Sequence, residues 1–183
     1  VLAVSSQMVT SVAIAEEIDP EELGGWRLHS EQTGFVDAVV DSDEDAIAQL
    51  KAFLSYLPDN ANHAPPIVPA IEPVAAALDT LVPESRAKTY DVRPVIKAIL
   101  DKDTYFPLKE RFAKVAVTAL GRINGRSVGI VASNPMFKGG ALDPDSCDKI
   151  ASFIVLCDSF NIPLIFLADT PGFLVGAESE KKR

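Results

Sequence analysis

The sequence predicts an α/β fold from three patterns in its last third. Residues 115–131 are largely β-branched and apolar on either side of Asn124-Gly125, a dipeptide that favours tight hairpins because both positions tolerate positive φ. Apolar residues then recur at helical spacing through residues 144–157. The run from Leu164 to Ala168 is continuously apolar, which is typical of a strand buried on both faces. Hairpin, helix and strand in this order predict a βαβ unit with a right-handed crossover.

Composition limits the classes of protein to which the chain can belong. It has 183 residues, 48% of them hydrophobic, and a formal net charge of -9. Residues 1–66 carry 12 acidic and 2 basic residues, so nearly all of the acidity lies in the first third. This charge disfavours a nucleic-acid partner, since such proteins usually present a basic patch. No apolar run is long enough to cross a membrane, so no membrane partner is expected.

Two helices are predicted in the first third. The apolar stretch Val1 to Ala15 lacks the positively charged start of a signal peptide and is interpreted as a buried helix that begins before Val1. Ser42 can cap a helix ended by Pro58, whose apolar face carries the 3,4,3 spacing of Ile47, Leu50, Leu54 and Leu57.

A proline-rich stretch follows, and proline at this density interrupts regular structure. We therefore divide the chain into residues 1–57, a linker at 58–85, and residues 86–183. In the third part, Asp91 can cap a helix with an apolar stripe at Val92, Val95, Ile96, Ile99 and Leu100. Asp143-Pro144 opens another helix, with Ile150, Phe153, Ile154 and Cys157 on its inner face.

Two loops have the composition of a binding site. Lys138 to Asp143 contains Gly139-Gly140 directly before a helix, so its N–H groups either bind an oxyanion or belong to a tight connector. Asp169-Thr170-Pro171-Gly172 leaves the end of the apolar strand, where α/β sheets bind ligands. Because successive strand ends meet at one edge, we expect the two loops to lie close together.

Other chemistries lack the residues that they need. The Asp169 to Gly172 pattern also occurs in GTPases, but no phosphate-cradling loop precedes it, and Gly121 to Ser127 is one residue short with Arg for Lys. Cys147 and Cys157, ten residues apart on one predicted helix, are poorly placed for a disulfide and fit a reducing cytoplasm. Neither His29 nor His63 has ligand-like spacing, so no metal is expected.

Several motifs in a fixed order resemble the carboxyltransferase β subunits of biotin-dependent acyl-CoA carboxylases, of the propionyl-CoA and methylcrotonyl-CoA carboxylase type. They are EELGG at 21–25, FLSYLP at 53–58, YDVR at 90–93, GRINGRSVGIVASNP at 121–135, GGALD at 139–143, CDSFNIPL at 157–164 and DTPGF at 169–173 with Gly176. The resemblance implies a crotonase-like fold of ββα units, incomplete in this chain. It makes residues 1–57 the tail of the N-terminal carboxyltransferase domain and 86–183 the first half of the C-terminal one.

The resemblance also implies the chemistry. Such an enzyme moves CO2 from carboxybiotin, held on a partner domain, to the α carbon of an acyl-CoA, with backbone N–H groups stabilising the oxyanions. The matched positions make Gly140 or Ala141 an oxyanion donor. They place Gly139, Pro171, Gly172, Phe173 and Gly176 in substrate and biotin binding. The implied partners are a biotin-carboxylase or biotin-carrier subunit and further copies of the chain, as a dimer and a hexamer.

This chain departs from the family pattern in ways that bear on activity. Most of the N-terminal domain and the later Gly-Gly-Ala-Tyr-Asp-like motif are absent, and Val175 replaces a common proline. We therefore expect the isolated chain to be inactive. Two alternatives remain open at this point: a decarboxylase of the glutaconyl-CoA type, and a non-catalytic assembly module.

Overall fold

The structure, a computed structural model, describes residues 7–15, 17, 19–73, 78–85 and 88–181. A four-stranded sheet in the order β1-β2-β3-β4 forms its centre. The strands are β1 (Phe106–Leu108), β2 (Ala116–Ile123), β3 (Arg126–Ser133) and β4 (Leu164–Leu167). The first three run antiparallel, and β4 pairs parallel to β3. The predicted hairpin and the parallel strand after it are therefore present.

Seven α-helices surround the sheet in the described part of the chain. They are α1 (Gln7–Ile14), α2 (Pro20–Gly24), α3 (Asp43–Ser55), α4 (Leu78–Leu81), α5 (Arg93–Ile99), α6 (Pro144–Ser159) and α7 (Ala177–Glu180). A π-helical turn covers Leu28–Gln32 and a 3-10 turn covers Lys138–Gly140. The short helix α4 lies inside the predicted linker, where the sequence indicated no regular structure.

The hairpin turn is stabilised by a buried carboxylate. Asn124 and Gly125 have φ of 50° and 75°, the left-handed values that a two-residue turn requires. Their N–H groups donate to Asp101 Oδ1 at 2.9 Å and Oδ2 at 2.7 Å. The linker also contacts this turn, since Val68 N–H donates to Gly125 O at 3.1 Å. Turn, carboxylate and linker thus fix one end of the sheet.

Two apolar clusters pack on opposite faces of β2 and β3. On one face, α5 contributes the predicted stripe, and Val92, Ile96 and Leu100 are buried against Val117 and Ile130. The second cluster joins α6 and the end of α3 to the sheet through Tyr56, Leu108, Leu120, Val131, Phe153, Cys157 and Ile162. Tyr56, from the predicted first part, therefore belongs to the same core as the predicted third part. The division at residues 57 and 85 stays a prediction.

Arg122 connects α3 and the linker to the sheet. Its guanidinium is buried, and it donates to Ser55 O at 2.6 Å and to Pro66 O at 3.3 Å. The same group stacks 4.8 Å from the ring centroid of Tyr56. Backbone carbonyls from two segments therefore accept hydrogen bonds from a charged group that would otherwise be costly to bury.

A cation–π arrangement connects the segment after α2 to the loop after β1. Trp26 lies 4.5 Å from the Arg27 guanidinium and 5.0 Å from that of Arg111. Arg111 also forms an ion pair with Glu31 at 3.4 Å.

The helix caps agree with the sequence in two cases of three. Ser42 Oγ accepts from Asp45 N–H at 3.1 Å, and Asp143 forms a capping box with Ser146. The prediction that Asp91 caps α5 was wrong by one residue. Val92 is the N-cap, and Asp91 Oδ1 accepts from Arg93 N–H at 3.1 Å instead.

Three predictions of burial were wrong. Helix α1 forms, but Met8, Val9 and Val12 are exposed, while residues 1–6 lie outside the described residues. The apolar face of α3 is exposed at Ile47, Leu50 and Leu54, because only the last turn of that helix reaches the sheet. Strand β4 is at the edge of the sheet, so Phe166 is 57% exposed and the strand is not covered on both faces.

Candidate functional site

The two loops that follow β3 and β4 are hydrogen-bonded to each other. Leu142 and Phe173 form a parallel bridge. Leu142 N–H donates to Gly172 O at 3.0 Å, and Leu174 N–H donates to Leu142 O at 2.7 Å. The predicted proximity of these loops is therefore confirmed, and they form one continuous surface at the end of the sheet.

The first loop turns in a left-handed conformation. Lys138, Gly139 and Gly140 have φ of 51°, 61° and 81°. Within this turn, Gly140 N–H donates to Phe137 O at 2.9 Å and Ala141 N–H donates to Lys138 O at 3.1 Å. Among the described residues, Gly139 N–H has no acceptor. Both predicted oxyanion donors thus already have a partner within the turn, whereas Gly139 does not.

Of the glycines in the two loops, only one lies where the surrounding atoms leave no room for a side chain. A Cβ on Gly140 would lie 2.5 Å from Asp169 O, so this position brings the two loops into close contact. A Cβ on Gly139, Gly172 or Gly176 would meet nothing within 4 Å among the described residues. These three glycines border open space, where a ligand can approach the main chain.

The first loop ends at the start of α6, where charges are paired. Lys138 Nζ lies 2.5 Å from Asp143 Oδ2, and Ser146 N–H donates to Asp143 Oδ1 at 2.9 Å. Burial acts to raise the pKa of Asp143, but the Lys138 ammonium and the Ser146 N–H outweigh it and lower the pKa. The carboxylate therefore stays ionised and caps the helix.

The second loop presents apolar side chains to solvent. Thr170 Oγ1 accepts from Gly172 N–H at 3.1 Å and donates to Gly172 O at 3.1 Å, which closes a small turn around Pro171. Beyond the turn, Phe173 is 65% and Val175 89% exposed. Such side chains suit contact with a ligand or another chain.

Adjacent residues before α5 contact both loops. Tyr90 Oη donates to Asp169 Oδ2 at 2.9 Å. Asp91 Oδ1 accepts from Asn134 Nδ2 at 3.1 Å, and Asp91 Oδ2 pairs with the Arg93 guanidinium at 2.7 Å. Partial burial, and then the Asp169 carboxylate, raise the pKa of Tyr90 to about 12, so its hydroxyl remains a donor.

Comparison with known proteins identifies the fold and the family. A family model described as the carboxyl transferase domain matches residues 2–183. The chain belongs to the carboxyl transferase family. The predicted resemblance is confirmed at this level.

Relatives of this carboxyl transferase chain include carboxylases. It is 40% identical over 178 residues to the uncharacterized carboxylase YngE of Bacillus subtilis, a match that covers 96% of this chain and 35% of that protein. It is 41% identical over 175 residues to the carboxyltransferase subunit of propionyl-CoA carboxylase from Haloferax mediterranei, covering 94% and 34%. The chain thus spans about a third of the length of these relatives.

A solved structure supports the same fold. Transcarboxylase 12S, described as a hexamer with methylmalonyl-coenzyme A and methylmalonic acid bound, matches with a TM-score of 0.93 at 39% identity. The match covers 99% of this chain and 36% of that one. The prediction of an incomplete crotonase-like α/β fold is therefore confirmed.

Sequence analysis missed one buried charge in this carboxyl transferase chain. Lys149 lies on the inner face of α6, and its ammonium donates to Lys109 O at 2.9 Å, Phe112 O at 2.8 Å and Ala116 O at 2.8 Å. Desolvation lowers its pKa to about 7, opposed by the charge of Glu110 and assisted by Lys109. The signal was available, since Lys149 falls in register with Ser146 and Phe153 on one helical face.

A pocket of about 330 Å³ lies beside Asn134 and Phe137, which precede the first loop. Asn134, Phe137 and Lys149 line it, together with Arg93 and the side chain of Tyr105. The Tyr105 hydroxyl is buried and has no hydrogen-bond partner among the described residues. Asn134 and Lys149, which support the first loop, therefore line the same cavity as Tyr105.

Other site types lack support in the described residues. No group of three His, Cys, Asp or Glu side chains there could hold a metal ion. Cys147 and Cys157 both lie on α6 with no disulfide between them, and burial raises the pKa of Cys157 to about 11. In the described part of the chain, no helix is long and apolar enough to cross a membrane.

Proposed function

We propose that the protein carrying this chain is the carboxyltransferase component of a biotin-dependent acyl-CoA carboxylase. In this reaction CO2 leaves the N1 atom of carboxybiotin and forms a bond to the α carbon of an acyl-CoA, while the proton of that carbon passes to biotin. Carboxybiotin, when bound, supplies activated CO2. The proposal rests on the two glycine-containing loops, which are hydrogen-bonded to each other, in a chain that belongs to the carboxyl transferase family.

The first loop is proposed to stabilise an oxyanion through Gly140 or Ala141. These N–H groups bond at 2.9 and 3.1 Å within the turn, and a three-centre hydrogen bond lets either also face a substrate oxygen. The unpaired Gly139 N–H provides a further donor beside them. Preorganised backbone donors of this kind contribute about 3 to 4 kcal/mol to catalysis in comparable sites.

The second loop is proposed to bind biotin or substrate through Pro171, Gly172, Phe173 and Gly176. The open space at Gly172 and Gly176 gives a flat ring access to the main chain. The exposed Phe173 ring offers it an apolar contact. Because the loops share the bridge at Leu142, their ligands would lie side by side, as transfer between them requires.

The proposed partners follow from the same reaction. A biotin-carboxylase or biotin-carrier subunit delivers carboxybiotin, and copies of the chain assemble as a dimer and then a hexamer. Exposed Phe173 and Val175 are available for such contacts. We place the protein in the cytoplasm.

Ala141→Pro tests the oxyanion role. Ala141 has φ of −72°, which proline adopts without strain, and the substitution removes the N–H together with its bond to Lys138 O. In the full-length protein that carries this chain, we expect kcat to fall about a hundredfold or more. The measurement is steady-state carboxylation of a panel of acyl-CoA thioesters with a carboxylated biotin carrier.

Ala141→Gly is the matched control, because it retains the N–H and should keep most of the activity. Equal losses in both variants would remove the oxyanion role from Ala141. Absence of any carboxylation by the unmodified protein, with every acyl-CoA tested, would refute the proposed function.

A further inference from the structure

Two consecutive side chains of the segment before α5 reach different loops of the site. Tyr90 bonds to Asp169, which is 79 residues away in sequence, at 2.9 Å. Asp91 bonds to Asn134, which is 43 residues away, at 3.1 Å. One short segment thus contacts the loop after β3 and the loop after β4.

Asn134 connects Asp91 to the main chain of the loop after β3. Its side chain is buried, and its Oδ1 accepts from Val92 N–H at 3.4 Å and from Met136 N–H at 3.3 Å. Its own N–H donates to Val115 O at 2.7 Å. With its amide oriented by Asp91, Asn134 fixes the start of the loop that carries Gly139 to Ala141.

Asp169, at the start of the second loop, connects that loop to β3 and to Tyr90 as Asn134 connects the first loop to Asp91. Its N–H donates to Ser133 Oγ at 2.6 Å, and its carbonyl oxygen is the atom that a Cβ on Gly140 would meet. Asp169 is therefore one of the points where the two loops come into contact, and the Tyr90 hydroxyl donates to its carboxylate.

We propose that Tyr90 and Asp91 are positioning residues that hold the two loops at a fixed separation, and hence the acyl-CoA and the carboxybiotin at transfer distance. The catalytic consequence rests on the proposed function, whereas the mechanical role does not. The Asp91–Asn134 contact is partly buried, so less water competes for it, whereas the Tyr90–Asp169 contact is exposed.

Amide hydrogen exchange tests the mechanical role in the full-length protein, whether or not it is active. The variants are Tyr90→Phe, which removes the hydroxyl that bonds to Asp169, and Asp91→Asn, which leaves Asn134 an uncharged and weaker acceptor, both with little change of shape. We expect exchange at the Leu142 and Leu174 amides, which join the loops, to accelerate about tenfold in either variant. Exchange at Ile130, in the centre of the sheet, should stay unchanged, which separates local loosening from global destabilisation.

Two matched variants control for the loss of a similar bond elsewhere. Tyr56→Phe removes a tyrosine hydroxyl that donates to Thr104 O at 2.7 Å and contacts neither loop. Glu110→Gln removes one carboxylate partner of Arg93, at 3.0 Å, without touching Asn134. Neither should change exchange at Leu142 or Leu174.

Kinetics test the catalytic consequence. Tyr90→Phe and Asp91→Asn should lower kcat about tenfold or more, because misplacement of reactants costs rate. The KM for acyl-CoA should change less than threefold, since neither residue is proposed to touch it. Tyr56→Phe and Glu110→Gln should retain kcat.

The two proposals fail separately. Unchanged exchange at Leu142 and Leu174 in both variants would overturn the positioning role, even in an active enzyme. Faster exchange in a protein without carboxylation would refute the proposed function and leave the mechanical role in place. Faster exchange with unchanged kcat would overturn the claim that loop separation limits transfer.

Discussion

At the scale of single residues, the most constrained group is the ammonium of Lys149. All three of its hydrogens are donated to backbone carbonyls, and the side chain is 2% exposed. Those carbonyls belong to residues 109–116, the segment that leads from β1 into β2. Lys149 therefore fastens α6, whose start carries the first loop, to the beginning of the sheet.

We expect Lys149→Met to destabilise the protein by about 3 kcal/mol or more, because three carbonyls lose a charged donor in a buried site. Chemical denaturation of the protein that carries this chain measures the effect. Lys114→Met, at an exposed lysine of the same segment, is the control and should change stability by less than about 0.5 kcal/mol. Similar effects of the two substitutions would contradict the buried-donor account.

The same side chain makes stability depend on pH. The folded-state pKa of Lys149 is lowered to about 7 from an ordinary value of 10.5, so between these values the unfolded chain binds a proton that the folded chain does not. Stability must therefore rise with pH across this window, by linkage. We expect the free energy of unfolding of the unmodified protein, relative to Lys149→Met, to increase between pH 7 and pH 10. A difference that stays constant across this range would show that the burial of Lys149 does not shift its titration.

At the scale of elements, the hairpin and α6 were predictable because local chemistry determines them. Asn124-Gly125 specifies the turn, and Asp143-Pro144 specifies the start of α6. The burial of α1, α3 and β4 was mispredicted because burial depends on the surface that an element meets, which its own spacing does not encode. Lys149 was missed because its acceptors are backbone carbonyls, which have no sequence signature, whereas its register with Ser146 and Phe153 indicates only that it is buried.

The contact between the linker and the hairpin turn gives a test at this scale. A Cβ on Gly125 would overlap Val68 O, and φ there is +75°. We expect Gly125→Ala to cost more than the roughly 1 kcal/mol of left-handed strain alone. Gly139→Ala isolates that strain, because φ is +61° and nothing described lies within 4 Å of the added Cβ. Equal losses of stability in the two variants would mean that the linker makes no steric contact with a side chain at position 125.

At the scale of the whole molecule, the described part of the chain combines a four-stranded sheet and its two apolar clusters with several exposed surfaces. The order of motifs predicted the family and the fold, because a fixed order of specific segments is hard to produce by chance. The assignments of Gly140, Ala141 and the second loop remain predictions, since they depend on where ligands sit. The exposed apolar residues of α3 and β4 are surfaces that sequence periodicity assigns to a core, and those of the second loop add a further exposed apolar surface.

The cation–π contacts of Trp26 with two guanidinium groups also determine what a spectroscopist would observe. The chain contains a single tryptophan, and its indole reports on the contact between the segment after α2 and the loop that contains Arg111. Intrinsic fluorescence during unfolding would therefore follow the separation of these two segments. Circular dichroism would follow the helices and the sheet, and non-coincident curves would reveal that the early part of the chain detaches first.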